Sequence, residues 1–500
     1  MGLLGLDIGT TGCKATIIDF NGNKKTSAYR EYSLENPGPG LEELNPEKVW
    51  NSVQQVIRKT TENYQGKEIK AISISSFGEA AVPLDSKGNV LYNSIMYIDK
   101  RGEEEIKQLK QNLNEKEVLQ ITGTSIHPMY TLGKLMWLKK HKPKVYNKTR
   151  KFLLYADFIL YKLGGEPVIN YSLASRTMAF DVINKKWSGK ILNTAGIDKN
   201  KLPEPVPSGS IIGQISKTQA AKLDLPEKVL LVAGGHDQPC AALGAGIIKN
   251  GIAVDGMGTV ECITPAFKQP IISKQMAEAN LVCCPHVKDD MYVTYAFNFT
   301  GGSLLKWYRD NFGYEEKQLA QKRGADVYDI LIEKAAKQPT DIYILPHFAG
   351  SGTPYMDTES RGAIIGITME TGKKEIIKAV LEGITYEMMI NLECLDQAGV
   401  EVNELRAVGG GAKSDYWLQL KANMMGKKIV SLNITEAGTL GVAMLAGTAA
   451  GIYNSLEEAV DKLVKIKKEF YPDKEKYQLY QQKFEIYKKI YPGIKNILNS

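Results

Sequence analysis

The stretch "LLGLDIGTTGCKAT", residues 3–16, returns in outline half the chain later as "GIAVDGMGTVECIT", residues 251–264. Each copy is a short apolar run, a glycine-rich turn and a second apolar run. Such runs, bounded by glycine turns, are typical of buried strands. Two units that open on the same kind of hairpin suggest an internal duplication, which would give two similar domains.

The residues that follow the first hairpin extend it into a meander. Asn21-Gly22 separates the return strand from "NKKTSAY", and this dipeptide predicts a type I′ turn. The first glycine turn therefore lies between antiparallel strands. A Walker loop would need GxxxxGK[ST] leading into a helix, and neither that string nor a complete GxGxxG occurs in the sequence.

The rest of the chain alternates strand and helix patterns, which predicts an α/β fold. Residues 69–85 read as a strand, a glycine break and a second strand, and residues 103–148 read as mainly helical. The lysine-rich tail from Ser455 onward reads as a helical, solvated cap. We predict two domains, residues 1–248 and 249–500, because 500 residues exceed what one hydrophobic core usually serves.

Composition narrows the class of protein. The chain has 43% hydrophobic and 24% charged residues and a net charge of +7, with its lysines scattered. This distribution favours a solvated surface over a nucleic-acid stripe. The start of the chain lacks the basic region of a signal peptide, and no apolar run approaches the ~20 residues of a membrane span. Six dispersed cysteines predict a cytoplasmic protein with reduced thiols, and the five histidines show no zinc-ligand spacing.

Three glycine-rich turns share one chemistry: "DIGTTG" (residues 7–12), "DGMGTVE" (255–261) and "GGGAKSD" (409–415). Each one alone is equally well explained as a tight turn. Together they fit a nucleotide, because backbone N–H groups in such turns bind anions and a nearby acid holds Mg²⁺ through water.

A lone carboxylate stands in "VAGGHDQPCAALGAG", residues 232–246. Taken alone, Asp237 is a good helix N-cap, and the glycines before it free the backbone. The alternative is a reactive group, since an acid on an open loop can reach a substrate hydroxyl without steric interference. His236 beside it is expected to pack or to support Asp237 rather than to transfer protons.

The chain resembles the FGGY carbohydrate kinases, within the actin-like ATPase superfamily. "MYTLGKLMWLKKH" (residues 129–141) and "GAIIGITMETGKKEIIKAVLE" (362–382) match the two signatures of that family. The match runs from Gly5 to about Gly451. The resemblance implies two ribonuclease-H-like domains around a deep cleft. The sugar and the catalytic acid would belong to the first domain and the nucleotide to the second.

The resemblance also implies roles for single residues, with ATP and Mg²⁺ as cofactors. Asp237 matches the catalytic aspartate, the acceptor of the hydroxyl proton in phosphoryl transfer. The residues that match nucleotide-binding positions are Asp7 (also implied in holding the metal), Gly9, Thr10, Thr11, Lys14, Gly258, Thr259, Gly410 and Gly411. The residues that match sugar-binding positions, besides Asp237, are Phe77, Gly78, Glu79 and Asp99.

The sugar itself is less closely indicated. At Gly78-Glu79, glycerol kinases carry Arg-Glu and xylulokinases Met-His, so the chain keeps only the acid of the first pair. Phe77-Gly78 and "GHD" resemble deoxyketose kinases such as fuculokinase. A pentulose or hexulose is therefore expected, with glycerol or a tetritol as the alternative. A catalytically silent sugar or nucleotide sensor, or an actin-like ATPase that moves a partner, would be of another class. The expected partners are sugar and ATP, not nucleic acid or a membrane, and a homodimer is left open.

Overall fold

The computed structural model describes residues 1–64, 68–434 and 436–498. The predicted N-terminal meander forms the start of its first sheet. The strands of the first half are β1 (Gly2–Ile8), β2 (Gly12–Ile18), β3 (Lys24–Glu31), β4 (Glu35–Gly38), β5 (Leu41–Leu44), β6 (Ile69–Ser76), β7 (Val82–Leu84), β8 (Ser94–Ile95), β9 (Lys151–Leu153), β10 (Val168–Asn170), β11 (Phe180–Asp181), β12 (Lys186–Trp187), β13 (Glu204–Val206), β14 (Ile211–Gln214) and β15 (Leu230–His236). The helices of this half are α1 (Pro46–Glu62), α2 (Glu103–Asn112), α3 (Glu115–Thr122), α4 (Thr131–His141), α5 (Pro143–Lys148), α6 (Tyr155–Leu163), α7 (Tyr171–Ser175), α8 (Gly189–Ala195), α9 (Lys217–Leu223) and α10 (Asp237–Gly244).

The second half repeats the arrangement. Its strands are β16 (Gly251–Met257), β17 (Glu261–Phe267), β18 (Cys284–Pro285), β19 (Tyr292–Val293), β20 (Ala296–Asn298), β21 (Tyr343–Leu345), β22 (Ala363–Ile365), β23 (Val402–Val408), β24 (Lys428–Leu432) and β25 (Ile466–Phe470). Its helices are α11 (Lys274–Glu278), α12 (Gly302–Phe312), α13 (Tyr314–Arg323), α14 (Val327–Lys334), α15 (Lys373–Gln397), α16 (Asp415–Met425), α17 (Ala437–Ala449), α18 (Leu456–Leu463), α19 (Lys474–Tyr487) and α20 (Ile490–Leu498).

Both large sheets are built on one plan. The first has the order β14-β15-β6-β1-β2-β3 and the second β18-β19-β17-β16-β23-β24-β25. In each, an antiparallel hairpin (β1–β2 or β16–β17) is followed on one side by two parallel strands (β6 and β15, or β23 and β24). The α/β class is confirmed, and the shared plan accounts for the repeated sequence pattern.

One helix from each half, α10 or α17, contributes to the core of the other half. α17 lies on the first sheet, where its apolar residues join the core around Leu3, Ala71 and Val232. α10 contributes Ala242 to the core of the second sheet, while its Cys240 and Leu243 join α17 in the core of the first sheet. The two helices also touch each other closely, and we call them the crossed pair.

Two predictions of local structure are wrong. The turn after β2 is not type I′, which needs a positive φ at both central residues. Gly22 has φ +87, whereas Asn21 is not in the left-handed region, and the Asp19 carboxylate accepts from the Asn21 and Asn23 amides at 2.9 Å. The tail is not wholly helical either. β25 pairs antiparallel with β24 at the sheet edge, and α19 buries Tyr480 and Phe484 instead of forming a solvated cap.

Candidate active site

Three parallel strands bring the candidate residues of the first half to one edge of the sheet. Asp7 on β1 is in register with Ser75 on β6, and Ser75 is in register with Gly235 on β15. Because parallel strands end at the same edge, the loops after them share one crevice, the usual location of ligand sites in α/β sheets. The Ser75 hydroxyl donates to the Asp7 carboxylate at 2.5 Å.

Asp237 is the first residue of α10, directly after β15. Its Oδ1 accepts from the Gln238 amide at 2.6 Å and lies 3.2 Å from His236 Nε2. Among the described residues nothing donates to Oδ2, and 38% of the side chain is exposed. Partial removal of the carboxyl from water, and next the negative charge of Asp7, raise the pKa of Asp237 to about 7. One oxygen is thus held in place while the other stays available to accept a proton near neutral pH.

His236 holds Asp237 in position. Burial, and then the nearby positive charge of Arg176, keep the pKa of His236 well below its usual range, so the imidazole is neutral. A carboxylate only accepts, so Nε2–H donates to Asp237, and Nδ1 accepts from the Tyr295 hydroxyl at 3.4 Å. The supporting role expected for His236 agrees with this geometry. Tyr295, just before β20, links the second half to the loop.

Glu79 is buried and ion-paired, not a surface acid. Arg176 Nε donates to Glu79 Oε1 at 2.6 Å, and Nη2 of the same guanidinium also contacts Oε1. Glu79 has φ +65, an unusual conformation for a non-glycine residue, and the Thr131 hydroxyl fixes it by donating to its carbonyl at 2.6 Å. A Cβ at Gly78 would lie 2.8 Å from Arg176 Cγ, so glycine at this position lets the guanidinium approach.

Sequence reasoning missed Arg176. It follows α7, far along the chain from Glu79, and no local motif marks it. A buried carboxylate needs a cation as its partner, but the sequence does not show that Glu79 is buried, so it gives no signal for Arg176.

The structure corrects the substrate role predicted for Asp99. Its side chain is fully buried, and both oxygens are taken: Oδ1 accepts from Arg101 N and Nε, and Oδ2 accepts from Arg101 Nη2 and Glu42 N, at 2.6–2.9 Å. Lys134, of the first signature, donates to the carbonyl oxygens of both Asp99 and Arg101. No oxygen of this carboxylate is left for a hydroxyl, so Asp99 shapes the loop.

Tyr97 and Phe77 flank this part of the site. Tyr97 is 36% exposed. Burial, and then the negative charges of Glu79 and Asp237, raise the pKa of its phenol. Phe77 is buried, with its ring 4.9 Å from that of Tyr155. The predicted contact of Phe77 with sugar stays a prediction.

The first glycine turn leaves its threonines facing outward. Gly9 N donates to Gly12 O at 2.8 Å and closes the turn, while Thr11 is exposed and Thr10 half-buried. Lys14 lies opposite Asp7 across the β1–β2 pair, with its ammonium 3.2 Å from Glu436. Burial raises the pKa of Asp7, although the Ser75 hydroxyl and Lys14 act against the rise.

The two glycine turns of the second half meet at one sheet edge. Gly256 on β16 is in register with Val408 on β23. A Cβ at Gly409 would lie 2.8 Å from Met257 O, so the two turns touch. Gly258 and Thr259 are exposed, and their carbonyls accept from the first amides of α12.

The neighbouring Gly410 is open on its outer side. A Cβ at this position would meet no described atom within 4 Å. Unhindered backbone of this kind suits a planar ligand group laid against it.

A buried ion triad, which sequence analysis also missed, ties these two turns together. Lys421 on α16 contacts Asp255 and Glu261, the acids that flank the β16–β17 turn, and all three side chains are inaccessible. Burial raises the pKa of Glu261, against the attraction of Lys421. The triad fixes the β16–β17 turn to the helix that follows residues 409–411.

The paired ribonuclease-H-like sheets and this edge define a class, the two-domain phosphotransferases of the actin-like ATPase fold. Residues 2–244 match the N-terminal domain, and residues 256–450 the C-terminal domain, of the FGGY family of carbohydrate kinases. The chain belongs to the FGGY family of carbohydrate kinases, so it is an ATP-dependent kinase that phosphorylates an alcohol group of a small sugar.

Similar proteins agree with this assignment. The chain is 30% identical to a xylulose kinase of Bacillus subtilis (strain 168), over 99% of this chain and 97% of that one. It is also 30% identical to a gluconokinase of the same organism, over 92% and 90%. The crystal structure of a ligand-bound xylulose kinase from Lactobacillus acidophilus superposes with a TM-score of 0.88 at 26% identity, covering 99% of this chain and 98% of the other.

Proposed function

We propose that the chain transfers the γ-phosphoryl group of ATP to a hydroxyl of a neutral pentulose, with Asp237 as general base. The observation that carries the base is the asymmetry of its carboxylate. His236 and the Gln238 amide hold Oδ1, whereas Oδ2 is available to take the hydroxyl proton. General-base catalysis by a positioned group contributes about 10²–10⁴-fold.

Mg²⁺ would enter with ATP and not in a cage of protein ligands. Among the described residues no three His, Cys, Asp or Glu side chains are grouped to hold a metal. A half-buried Asp7 beside Lys14 fits a single water-mediated contact to a phosphate-bound magnesium ion, since Mg²⁺ keeps several waters and usually takes one or two carboxylates. The bound ion would neutralise phosphate charge.

The other nucleotide contacts of the proposal come from both halves. Backbone amides and hydroxyls of the glycine turns would hold phosphates, and residues 409–411 the adenosine. We divide the chain at 248/249 into a sugar-binding and a nucleotide-binding domain. The residues assigned to ATP are Asp7, Gly9, Thr10, Thr11, Lys14, Gly258, Thr259, Gly410 and Gly411, and those assigned to sugar are Phe77, Gly78, Glu79 and Asp237.

Charge at the sugar end favours a neutral substrate. Arg176 neutralises Glu79 there, so the ionised form of Asp237 leaves a net negative charge that repels an anionic sugar acid. The resemblance to xylulose kinases supports a pentulose, with a hexulose next and glycerol or a tetritol as the alternative. The repulsion argues against gluconate, despite the related gluconokinase. A catalytically silent sensor would not need an Asp237 Oδ2 that is available to accept a proton.

The proposal extends to partners and location. All six cysteines are unpaired, which suits the cytoplasm. Within the described segments, no helix combines the length and the apolar character needed to cross a bilayer. Sugar and ATP are the proposed partners, rather than nucleic acid or a membrane, and a homodimer remains to be tested by light scattering.

A coupled assay of ADP release tests the activity. Pentuloses, hexuloses, pentitols, glycerol, erythritol and gluconate are compared by kcat/KM at saturating MgATP. We expect a pentulose to give the highest value. A preference for gluconate or glycerol would reject the substrate class, and no turnover with any sugar would favour the sensor.

A further inference from the structure

The guanidinium of Arg176 is held between two aromatic rings at the sugar end of the site. Its Cζ lies 5.1 Å from the ring centre of Tyr130 and 5.9 Å from that of Tyr295. Only 8% of the side chain is exposed, as is 6% of that of its partner Glu79. The pair is therefore rigid and nearly dry, and its hydrogen bonds can discriminate strongly.

The ion pair is only half satisfied. Nε and Nη2 of Arg176 both donate to one oxygen of Glu79, Oε1. Within residues 1–64, 68–434 and 436–498, neither Arg176 Nη1 nor Glu79 Oε2 makes a hydrogen bond, and neither is among the fully buried polar atoms without a partner, so both are open to the solvent or to a ligand. Buried ion pairs are stable only when their remaining donors and acceptors are also matched. One donor and one acceptor of this ion pair thus remain for a ligand.

This donor and acceptor adjoin the reacting carboxylate. Gly78 separates them from His236, since a Cβ there would be 2.8 Å from Arg176 Cγ and 3.3 Å from His236 Cδ2. His236 in turn contacts Asp237. The half-satisfied pair therefore faces a part of the sugar a few bonds from the reacting hydroxyl.

We propose that Arg176 determines specificity, with Nη1 donating to the carbonyl oxygen of an open-chain ketose while Glu79 Oε2 accepts from the adjacent hydroxyl. The proposal rests on the proposed sugar-kinase activity and deepens it. A carbonyl oxygen only accepts, so it matches the guanidinium and leaves Glu79 for the neighbouring hydroxyl. A pentitol has a hydroxyl in place of the carbonyl, and its extra proton must compete with the adjacent hydroxyl for Glu79 Oε2, so the ion pair matches it less well.

The test compares the ketopentose that is phosphorylated best with the two pentitols formed by reducing its carbonyl. Wild-type protein should favour the ketose in kcat/KM by at least about tenfold. Arg176→Lys keeps the charge beside Glu79 but loses the forked donors. It should reduce this ratio at least about tenfold and leave KM for ATP within about twofold.

Arg101→Lys is the matched control. Arg101 is 7% exposed and is ion-paired with Asp99 and Glu43. In this variant the ratio of kcat/KM for the ketose to kcat/KM for the pentitols should stay that of the wild-type protein. If Arg176→Lys unfolds, the paired change Arg176→Met with Glu79→Gln, which removes both buried charges, should lose the ratio in the same way.

The two proposals fail separately. Absence of activity on every ketose rejects the pentulose activity. Ketose activity with a ratio that survives in the Arg176 variants, or a wild-type preference for the pentitols, overturns the role of Arg176.

Discussion

At the scale of single residues, Asp237 has one anchored oxygen and one available oxygen. Asp237→Asn keeps the side-chain size but cannot accept the proton, so kcat should fall by about 10²–10⁴-fold while ATP still binds. The parent should lose activity about tenfold per pH unit below its pKa of about 7, since the base must be deprotonated. Steady-state rates from pH 5.5 to 8.5 check both, and near-normal turnover of the variant would reject the assignment.

The same residue should cost stability. Its pKa rises from 3.8 to about 7 on folding, so the folded protein resists ionisation of this carboxyl. Relative to alkaline pH, the protonated carboxyl therefore adds to the free energy of unfolding. This contribution is fully present below pH 3.8 and is lost as the pH rises through 7. We expect the Tm difference between Asp237→Asn and the parent to grow in favour of the variant from pH 4 to 7, then to level off. Calorimetry across this range checks it, and a difference independent of pH would contradict it.

Some of these residues could be found from sequence and others could not. Asp237 and the first turn stand in short motifs, where glycines and an acid lie side by side along the chain. Arg176 and Lys421 act through partners about 100 to 170 residues away, and no local pattern links them. The role predicted for Asp99 is wrong because Arg101 and the Glu42 amide occupy its carboxylate oxygens by hydrogen bonds that only the folded chain can form.

At the scale of elements, Lys421 joins α16 to the β16–β17 turn. Lys421→Met would leave two buried carboxylates unpaired and should destabilise the protein by about 3–5 kcal/mol. Adding Asp255→Asn and Glu261→Gln should recover most of the loss. Denaturant titration measures both.

Lys428→Met is the control for this prediction. Its ion pairs with Glu404 and Glu469 are partly exposed, so the change should cost no more than about 1 kcal/mol. If Lys421→Met and Lys428→Met lowered the free energy of unfolding equally, the stabilising role of the triad would be contradicted.

The crossed pair of helices depends on two glycines. A Cβ at Gly441 would collide with the Cys240 carbonyl, and one at Gly244 with the Ala437 carbonyl. Because the clashing atom belongs to the backbone, it cannot move aside as the end of a flexible side chain could. Gly441→Ala should therefore lower the free energy of unfolding by about 1–3 kcal/mol. Gly493→Ala on α20, which meets nothing within 4 Å, should instead be neutral or stabilising. Thermal unfolding distinguishes the two, and an unchanged Tm for Gly441→Ala would show that the helices can separate without loss.

Sequence predicted the elements well where their pattern was local. The hairpins, the long helix α15 and the small-residue helix α17 all form. β25 was missed because its lysines lie on an exposed edge, so it lacks the apolar alternation of a half-buried strand. The contribution of α10 and α17 to the core of the opposite half is a tertiary property and leaves no periodic trace in the sequence.

At the scale of the whole molecule, the two halves should close on the sugar. Closure excludes water from the phosphoryl group, so ATP hydrolysis without sugar should be slow. Small-angle scattering should show a smaller radius of gyration with saturating sugar and a non-hydrolysable ATP analogue than with neither. A radius unchanged by both ligands would contradict closure, and the nucleotide alone serves as the control.

The crossed pair also affects how the chain is made. The ribosome completes the first sheet long before it delivers α17 and α18, which follow about 200 residues later. At about 5–20 residues per second, the apolar face around Leu3, Ala71 and Val232 lacks its cover from α17 and α18 for on the order of 10–40 s. We therefore expect the nascent first half to bind chaperones during that interval, and a chain truncated before residue 437 to aggregate, which the soluble fraction after expression would measure.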